Sequence, residues 1–181
     1  MKAFSFQRIG EYKDSDQGST QSARQYKDST DLILQNGGGD DAMEQKTIVR
    51  RLTPLECTRL QGYPDGWVDI GEPDEKGDYY YTDPITGKRR KVTDSAKYKA
   101  LGNSIALPFW RYLMRRIVAQ YEHEVTMGSL FDGISGFCLV AKQCGCQPVW
   151  SSEIESFPIA VCKQHFGDEE TGQKGDIGDY L

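Results

Sequence analysis

The stretch Gly128 to Phe137, GSLFDGISGF, together with the acidic Glu153, holds residue types that could bind a nucleoside. Gly133 and Gly136 allow a chain to turn sharply and let a ligand approach the backbone. Glu153 follows Gly133 by about 20 positions, the separation at which an acid at the tip of a second strand can accept hydrogen bonds from both ribose hydroxyls. A carboxylate suits that task because, once ionised, it only accepts. The full dinucleotide fingerprint G-x-G-x-x-G is absent, since Asp132 and Ser135 stand where a pyrophosphate-cradling loop prefers glycine. A ligand without a pyrophosphate is therefore expected. Further on, Gly175-Asp176-Ile177 offers a second acid that could meet an adenine amino group if a third strand begins there.

These residues need a strand, a turn and a helix to place them. VTMGSLF reads as the strand, DGISG as the glycine turn, FCLVAKQCG as a helix closed by Gly145, and PVWSSE as a second strand ending at Glu153. Upstream, RRLTPLECTRLQGYPDGW carries full helix punctuation: Thr53 as N-cap, Pro54 at the first helical position, Glu56 closing a capping box, and a stop at Gly62 before Pro64. Leu52 and Cys57 can form a hydrophobic staple, and Leu55 and Leu60 are not expected to face solvent together, so the helix should be docked. DYYYTDPITGKRRKV reads as a hairpin whose second strand carries Lys88 to Lys91, either a charge-protected edge or a phosphate contact. In KALGNSIALPFWRYLMRRIVAQYEHE, residues Trp110, Leu113, Met114, Ile117, Val118 and Tyr121 follow helical spacing and predict an amphipathic helix with this face on the core.

Composition limits what the whole chain can be. Its 181 residues, 38% hydrophobic, suffice for one ordinary core. With 22 basic against 27 acidic residues and a net charge of -5, bulk positive charge does not hold nucleic acid, and any DNA contact must be local. No apolar run suggests a signal peptide or a membrane span, and five cysteines without a secretory signal read as free thiols, so a soluble cytoplasmic protein is expected. Three regions separate: residues 1–45, polar and expected to be weakly ordered apart from a possible strand at TDLILQ; residues 46–126, with the capped helix, hairpin and amphipathic helix; and residues 127–181, which begin an α/β sheet.

RRLTPLECTRLQGYPDGW and KALGNSIALP resemble motifs IX and X of the DNA cytosine-C5 methyltransferases, SLFDGISGF resembles their motif I, SSEIESFPIAV motif II and GDI motif III. The resemblance runs from about Val49 to the end and is least clear over the hairpin. It implies an α/β Rossmann-like methyltransferase fold with S-adenosylmethionine as cofactor. By the same resemblance Phe131 would pack against the adenine, Gly133, Ile134 and Gly136 would shape the loop around the methionine part, and Glu153 would hold the ribose. Ile154 would cover the other adenine face, Asp176 would accept from the amino group, and Asn103 with Ser104 would reach the carboxylate end. Arg50 to Gln61 would be scaffold, and Ser129 departs from the acid often found at its place.

Two further departures matter. Motifs IX and X precede motif I, so the chain reads as a circular permutation of the usual order. Methylation at C5 also needs a thiolate that adds to C6, which the family supplies from Pro-Cys; none of Cys57, Cys138, Cys144, Cys146 and Cys162 follows a proline. The family's Glu-Asn-Val and Gln-x-Arg-x-Arg motifs are missing too. The resemblance therefore implies the cofactor-binding portion of a DNA cytosine-C5 methyltransferase, its fold incomplete and permuted. It would be inactive alone and would act on DNA only with a second polypeptide or a longer product that supplies the catalytic segment. The alternatives are a catalytically inactive remnant or interaction subunit, and a nucleotide-dependent oxidoreductase of the same fold. No membrane partner is expected, and exposed sheet edges predict self-association of the isolated chain. Cys144 and Cys146 lack the spacing of a zinc site, so no metal is expected, and His123 and His165 belong to no recognisable triad.

Overall fold

The computed structural model describes residues 2–8, 11–15, 31–36 and 47–170, with side chains for residues 50–167. Four strands come first, β1 (Lys2–Arg8), β2 (Glu11–Ser15), β3 (Asp31–Asn36) and β4 (Thr47–Arg51), ordered β2-β1-β3-β4 with every pair antiparallel. Sequence composition pointed to one strand before residue 45, and β3 is that strand; β1 and β2 were hidden in a polar, turn-rich context. β4 hands the chain directly to α1 (Pro54–Gln61).

α1 forms as its punctuation dictates. Thr53 caps it by accepting from the Glu56 N–H, and the Glu56 carboxylate accepts in return from the Thr53 N–H at 2.8 Å. Arg50 grips the same carboxylate through two hydrogen bonds of 2.8 and 2.7 Å, and with the cap contacts this holds the Glu56 carboxyl down at about 2. Gly62, at φ 83°, ends the helix in the left-handed conformation. The docked face differs from the expected one. Cys57, Thr58 and Gln61 are buried, while Leu55 and Leu60 are 41% and 52% exposed, because this short helix turns its polar-looking side inward: the Thr58 hydroxyl donates to the Pro54 carbonyl and the Gln61 amide to the Leu101 carbonyl.

A three-stranded antiparallel sheet follows, β5 (Glu72–Pro73), β6 (Tyr79–Thr82) and β7 (Arg89–Lys91), with the anticipated hairpin between β6 and β7. Its turn is built on buried Asp83, which accepts from the Ile85 and Thr86 N–H groups and pairs with Arg90 at 2.6 Å. Helices α2 (Asp94–Gly102) and α3 (Leu107–Val118) come next. On α3, Leu107 and Met114 are buried and Trp110, Leu113 and Val118 half-buried, whereas Ile117 is 44% exposed and Tyr121, beyond the helix end, 51%. The apolar stripe predicted from spacing is thus only partly used, since the helix stops at Val118, short of Tyr121, and leaves Ile117 exposed.

The last part is a βαβ unit: β8 (Val125–Ser129), α4 (Gly136–Gln143) and β9 (Cys146–Ser151), the two strands parallel, followed by α5 (Ser156–Glu170) with a non-helical break at Gly167. The expected order of strand, glycine turn, helix and strand is observed. The chain is therefore mixed α/β. One core joins this unit to what precedes it, with Leu52, Trp67, Ile70, Leu101, Leu107 and Met114 buried in the same cluster as Ile134, Val140 and Val161. The 62–71 segment is the hinge of that packing. The Trp67 indole donates to the Ile134 carbonyl at 2.8 Å, its ring stacks on His165 with centroids 3.7 Å apart, and the Gly71 N–H donates to the Gln164 amide oxygen at 2.6 Å. Among the described residues no helix is long and apolar enough to cross a membrane.

Candidate functional site

The turn after β8 is held from below by β9. The Asp132 N–H donates to the Ser152 carbonyl and the Ser152 N–H to the Ser129 carbonyl, both at 2.9 Å, so the two strand ends are locked together. Asp132, 5% exposed, accepts from the Ser129 hydroxyl at 2.5 Å and from the Cys138 thiol at 3.6 Å. Burial pushes both the Asp132 carboxyl and the Cys138 thiol upward. Cys138 is accordingly a packed thiol that burial holds toward its protonated form. Ser129, which departs from the acid often found at its place, acts here as a donor to one oxygen of this aspartate, whose other oxygen is buried without a hydrogen-bond partner among the described residues.

Two non-glycine residues of the turn, Phe131 (φ 53°) and Ser135 (φ 63°), adopt the left-handed conformation, which costs on the order of 1 kcal/mol each and tends to cluster where a chain clamps a ligand. In Phe131 the result is a ring 69% exposed, held out from the turn. Between them Gly133, also left-handed at φ 59°, aims its N–H at the Glu153 carboxylate and meets it at 2.8 Å.

Glu153 is tightly organised. One carboxylate oxygen accepts from Gly133, and the other from the N–H groups of Ile154 at 2.7 Å and Glu155 at 2.9 Å. A carboxylate has about four acceptor positions, and three are taken. One remains for a ligand hydroxyl, and a second opens only if the Gly133 N–H lets go. Phe131, Gly133 and Glu153 line a cavity of about 200 Å³ with Asn103, Ala100, Glu155 and Pro158. Four expected site residues, from three separate stretches of sequence, thus share one cavity.

The remaining expected residues are placed differently. Ser104 is turned away, its hydroxyl bonded to the Tyr63 hydroxyl. Ile134 is fully buried, so only its backbone could serve the turn. Gly136 serves packing: a Cβ there would sit 2.1 Å from the Tyr63 hydroxyl oxygen and 3.0 Å from a Leu107 methyl. Ile154 is 65% exposed and does not line the cavity. Asp176 and its GDI stretch lie outside the described residues.

Two contributors escaped sequence reasoning. Lys99 of α2 makes two bonds of 2.7 Å to the Glu155 carboxylate, joining the helix that leads to Asn103 to the segment that carries Glu153. Nothing local in the sequence signals that pair, because its members are 56 residues apart. Pro158, at the start of α5, closes the cavity wall beside Glu155.

A parallel strand-turn-helix-strand with a cavity at the carboxyl ends of its strands defines an α/β domain of the kind that takes its ligand at that edge. The chain belongs to the C-5 cytosine-specific DNA methylase family, whose model matches residues 2–119. That match includes the first 45 residues, which the motif resemblance had left aside, and it stops before the Gly128–Phe137 turn. Among curated proteins the chain is similar to one named DNA N-6-adenine-methyltransferase of Escherichia phage P1, at 28% identity over 184 aligned positions that cover 65% of this chain and 24% of that protein. It is also similar to the DNA-cytosine methyltransferase of Escherichia coli (strain K12), at 27% identity over 60% of this chain and 21% of that protein. A third relative is the type II methyltransferase M.SsoII of Shigella sonnei, at 26% identity over 58% of this chain and 20% of that protein. The chain thus spans between a fifth and a quarter of the length of these relatives.

Proposed function

We propose that this chain is the cofactor-binding portion of a DNA cytosine-C5 methyltransferase, with S-adenosylmethionine in the Phe131-Gly133-Glu153-Asn103 cavity. The observation that carries the reading is the convergence of those four residues on one cavity beside the strand ends. When bound, the cofactor supplies an electrophilic methyl group on sulfur. The residues present suit it: an exposed aromatic ring for a purine face, and a carboxylate with an acceptor position left for a ribose hydroxyl. About 200 Å³ is small beside the roughly 300 to 1,000 Å³ of ligand pockets, so it matches the nucleoside end. Ile154 would cover the purine, and Asp176 would reach its amino group. Ser104, Ile134 and Gly136 would act by shaping the backbone of the turn and of the loop after α2.

In this reading the motif order IX, X, I, II, III is a circular permutation of a Rossmann-like methyltransferase fold. Its low cost follows from position, because the end of α3 lies only a short link from β8. The thiolate whose addition to C6 makes C5 nucleophilic would come from a catalytic segment outside this sequence, on a second polypeptide or a longer product, since no cysteine here follows proline. Completed, the enzyme would take the target base out of the duplex. The two-stranded β8-β9 sheet, with Leu130 and Val149 about half exposed, would leave edges through which the isolated chain self-associates; a monodisperse monomer in light scattering contradicts that.

Calorimetric titration with S-adenosylhomocysteine, with NADH as control, tests the site. Saturable binding of the first alone, lost in Glu153→Ala, is expected. A folded chain that binds neither ligand refutes the cofactor assignment and leaves an interaction subunit. Preference for NADH makes it an oxidoreductase relative.

A further inference from the structure

We propose that the cavity between the β5-β6-β7 sheet and α5 is a second site, which takes one nucleotide of a single DNA strand, the base against Tyr80 and the phosphate on Arg89. At about 410 Å³ it is twice the size of the cavity at Glu153 and lies within the usual range for ligand pockets. Its walls are Tyr80, Tyr81 and Arg89 from the hairpin, Ile70 and Glu72 from the preceding segment, and Lys163 from α5.

The hairpin charges decide which nucleic acid fits. Between Glu72 and Lys91 five acidic and five basic residues cancel, so the hairpin offers no comb of positive charge to a duplex backbone, which needs several phosphate contacts to be held. Arg90 is tied to Asp83 and Lys91 to Asp78. Arg89 makes no ion pair among the described residues; its guanidinium sits 4.5 Å above the Tyr80 ring and faces the cavity with all its donors available. A cation laid against a half-buried aromatic wall is an arrangement that single-strand binders use, stacking bases on aromatic rings while basic groups meet the backbone.

Tyr81 is braced edge-on by Phe157 at 5.6 Å, so the aromatic wall is rigid, and the Gly71 backbone lies so close to the Tyr80 carbonyl that a Cβ there would come within 1.9 Å. The floor of the cavity is therefore fixed before any ligand arrives, which lowers the cost of binding. Glu72 can accept from an exocyclic base amino group, as it lines the same space. The site is separate from the Glu153 cavity, with which it shares no lining residue.

The test uses the full chain and fluorescence anisotropy with a labelled single-stranded oligonucleotide of about 10 nucleotides, within the site sizes of single-strand binders. A matching duplex and a free mononucleotide serve as competitors. The single strand should bind, the duplex should compete more weakly, and the mononucleotide should displace it only at much higher concentration. Tyr80→Ala should weaken binding about 5- to 150-fold. Arg89→Gln should lower the salt slope by about 0.7. Lys88→Gln, an exposed cation in the turn just before that strand, and Glu153→Ala should change neither quantity. Tighter binding of the duplex, equal loss in Lys88→Gln and Arg89→Gln, or no single-strand binding by the folded chain overturns the proposal. Displacement by the mononucleotide at equal concentration reassigns the site to a free nucleotide. Loss of S-adenosylhomocysteine binding, with single-strand binding intact, would remove the cofactor reading alone.

Discussion

Gly136 is where three distant parts of the chain press together, and replacing it with alanine tests that packing quantitatively. The new Cβ would lie 2.1 Å from the Tyr63 hydroxyl oxygen, 3.1 Å from the ring carbon that bears it, and 3.0 Å from a Leu107 methyl. Tyr63 is 4% exposed and Leu107 fully buried, so neither can simply swing into solvent. Overpacking of this kind costs about 1 to 3 kcal/mol. Alanine gains up to ~1 kcal/mol over glycine inside a helix, but less at the first helical position, so a net loss of about 2 kcal/mol is expected. For a chain of this size that lowers Tm by roughly 4 to 8 °C. Tyr63→Phe alone loses the hydrogen bond with Ser104, about 1 kcal/mol. In the double variant the nearest obstacle is gone and only the 3.1 and 3.0 Å contacts remain, so the combined loss should fall short of the sum by 1 kcal/mol or more. Chemical denaturation of the four proteins measures the cycle. Additivity within about 0.5 kcal/mol, or a Gly136→Ala chain as stable as the parent, would refute the reasoning.

Two other outcomes follow from the same structure. The Glu56 carboxyl, held at about 2 by Arg50 and the cap, stabilises the fold fully above its ordinary 4.5, and that contribution is lost as pH falls from 4.5 toward 2. Glu56→Gln should cost about 1 kcal/mol at pH 7, less than the ~3 kcal/mol of full conversion because the side chain is 26% exposed and screened, and the gap to the parent should close near pH 2 in urea titrations. Lys99→Ala should change stability by less than about 1 kcal/mol, since the pair with Glu155 is half exposed, yet weaken S-adenosylhomocysteine binding in calorimetry, because it frees the Glu153 segment from α2; unchanged affinity would make the pair a surface contact only.

What could be read in advance followed local rules. The capped start and left-handed stop of α1, the hairpin, and the order of β8, turn, α4 and β9 all obey chemistry confined to a few neighbouring residues. Glu153 was legible because its distance from Gly133 reflects the length of one strand-helix-strand unit. What escaped depended on which face of an element finds a neighbour. Leu55 and Leu60 both face solvent although at least one was expected inward, and Ile117 is exposed although spacing placed it on the core face, because burial is decided by partners distant in sequence such as Leu101 and Leu107. Gly136 illustrates the same limit at the site: a glycine in a turn suggests room for a ligand, and only the fold shows that the Tyr63 hydroxyl fills it. The Lys99 and Glu155 pair could not be found without the packing of α2 against α5.

The central claim is that the turn after β8, the end of β9 and the loop after α2 form one cofactor pocket. Backbone amide NMR during titration with S-adenosylhomocysteine tests it most directly. The account predicts concerted, saturable shifts at Phe131, Gly133, Glu153 to Glu155 and Asn103, largest for the Gly133 amide if its bond to Glu153 is exchanged for a ribose hydroxyl, with the β5-β6-β7 sheet unmoved. Shifts confined to the sheet, or none at Gly133 and Asn103 at saturation, would contradict it.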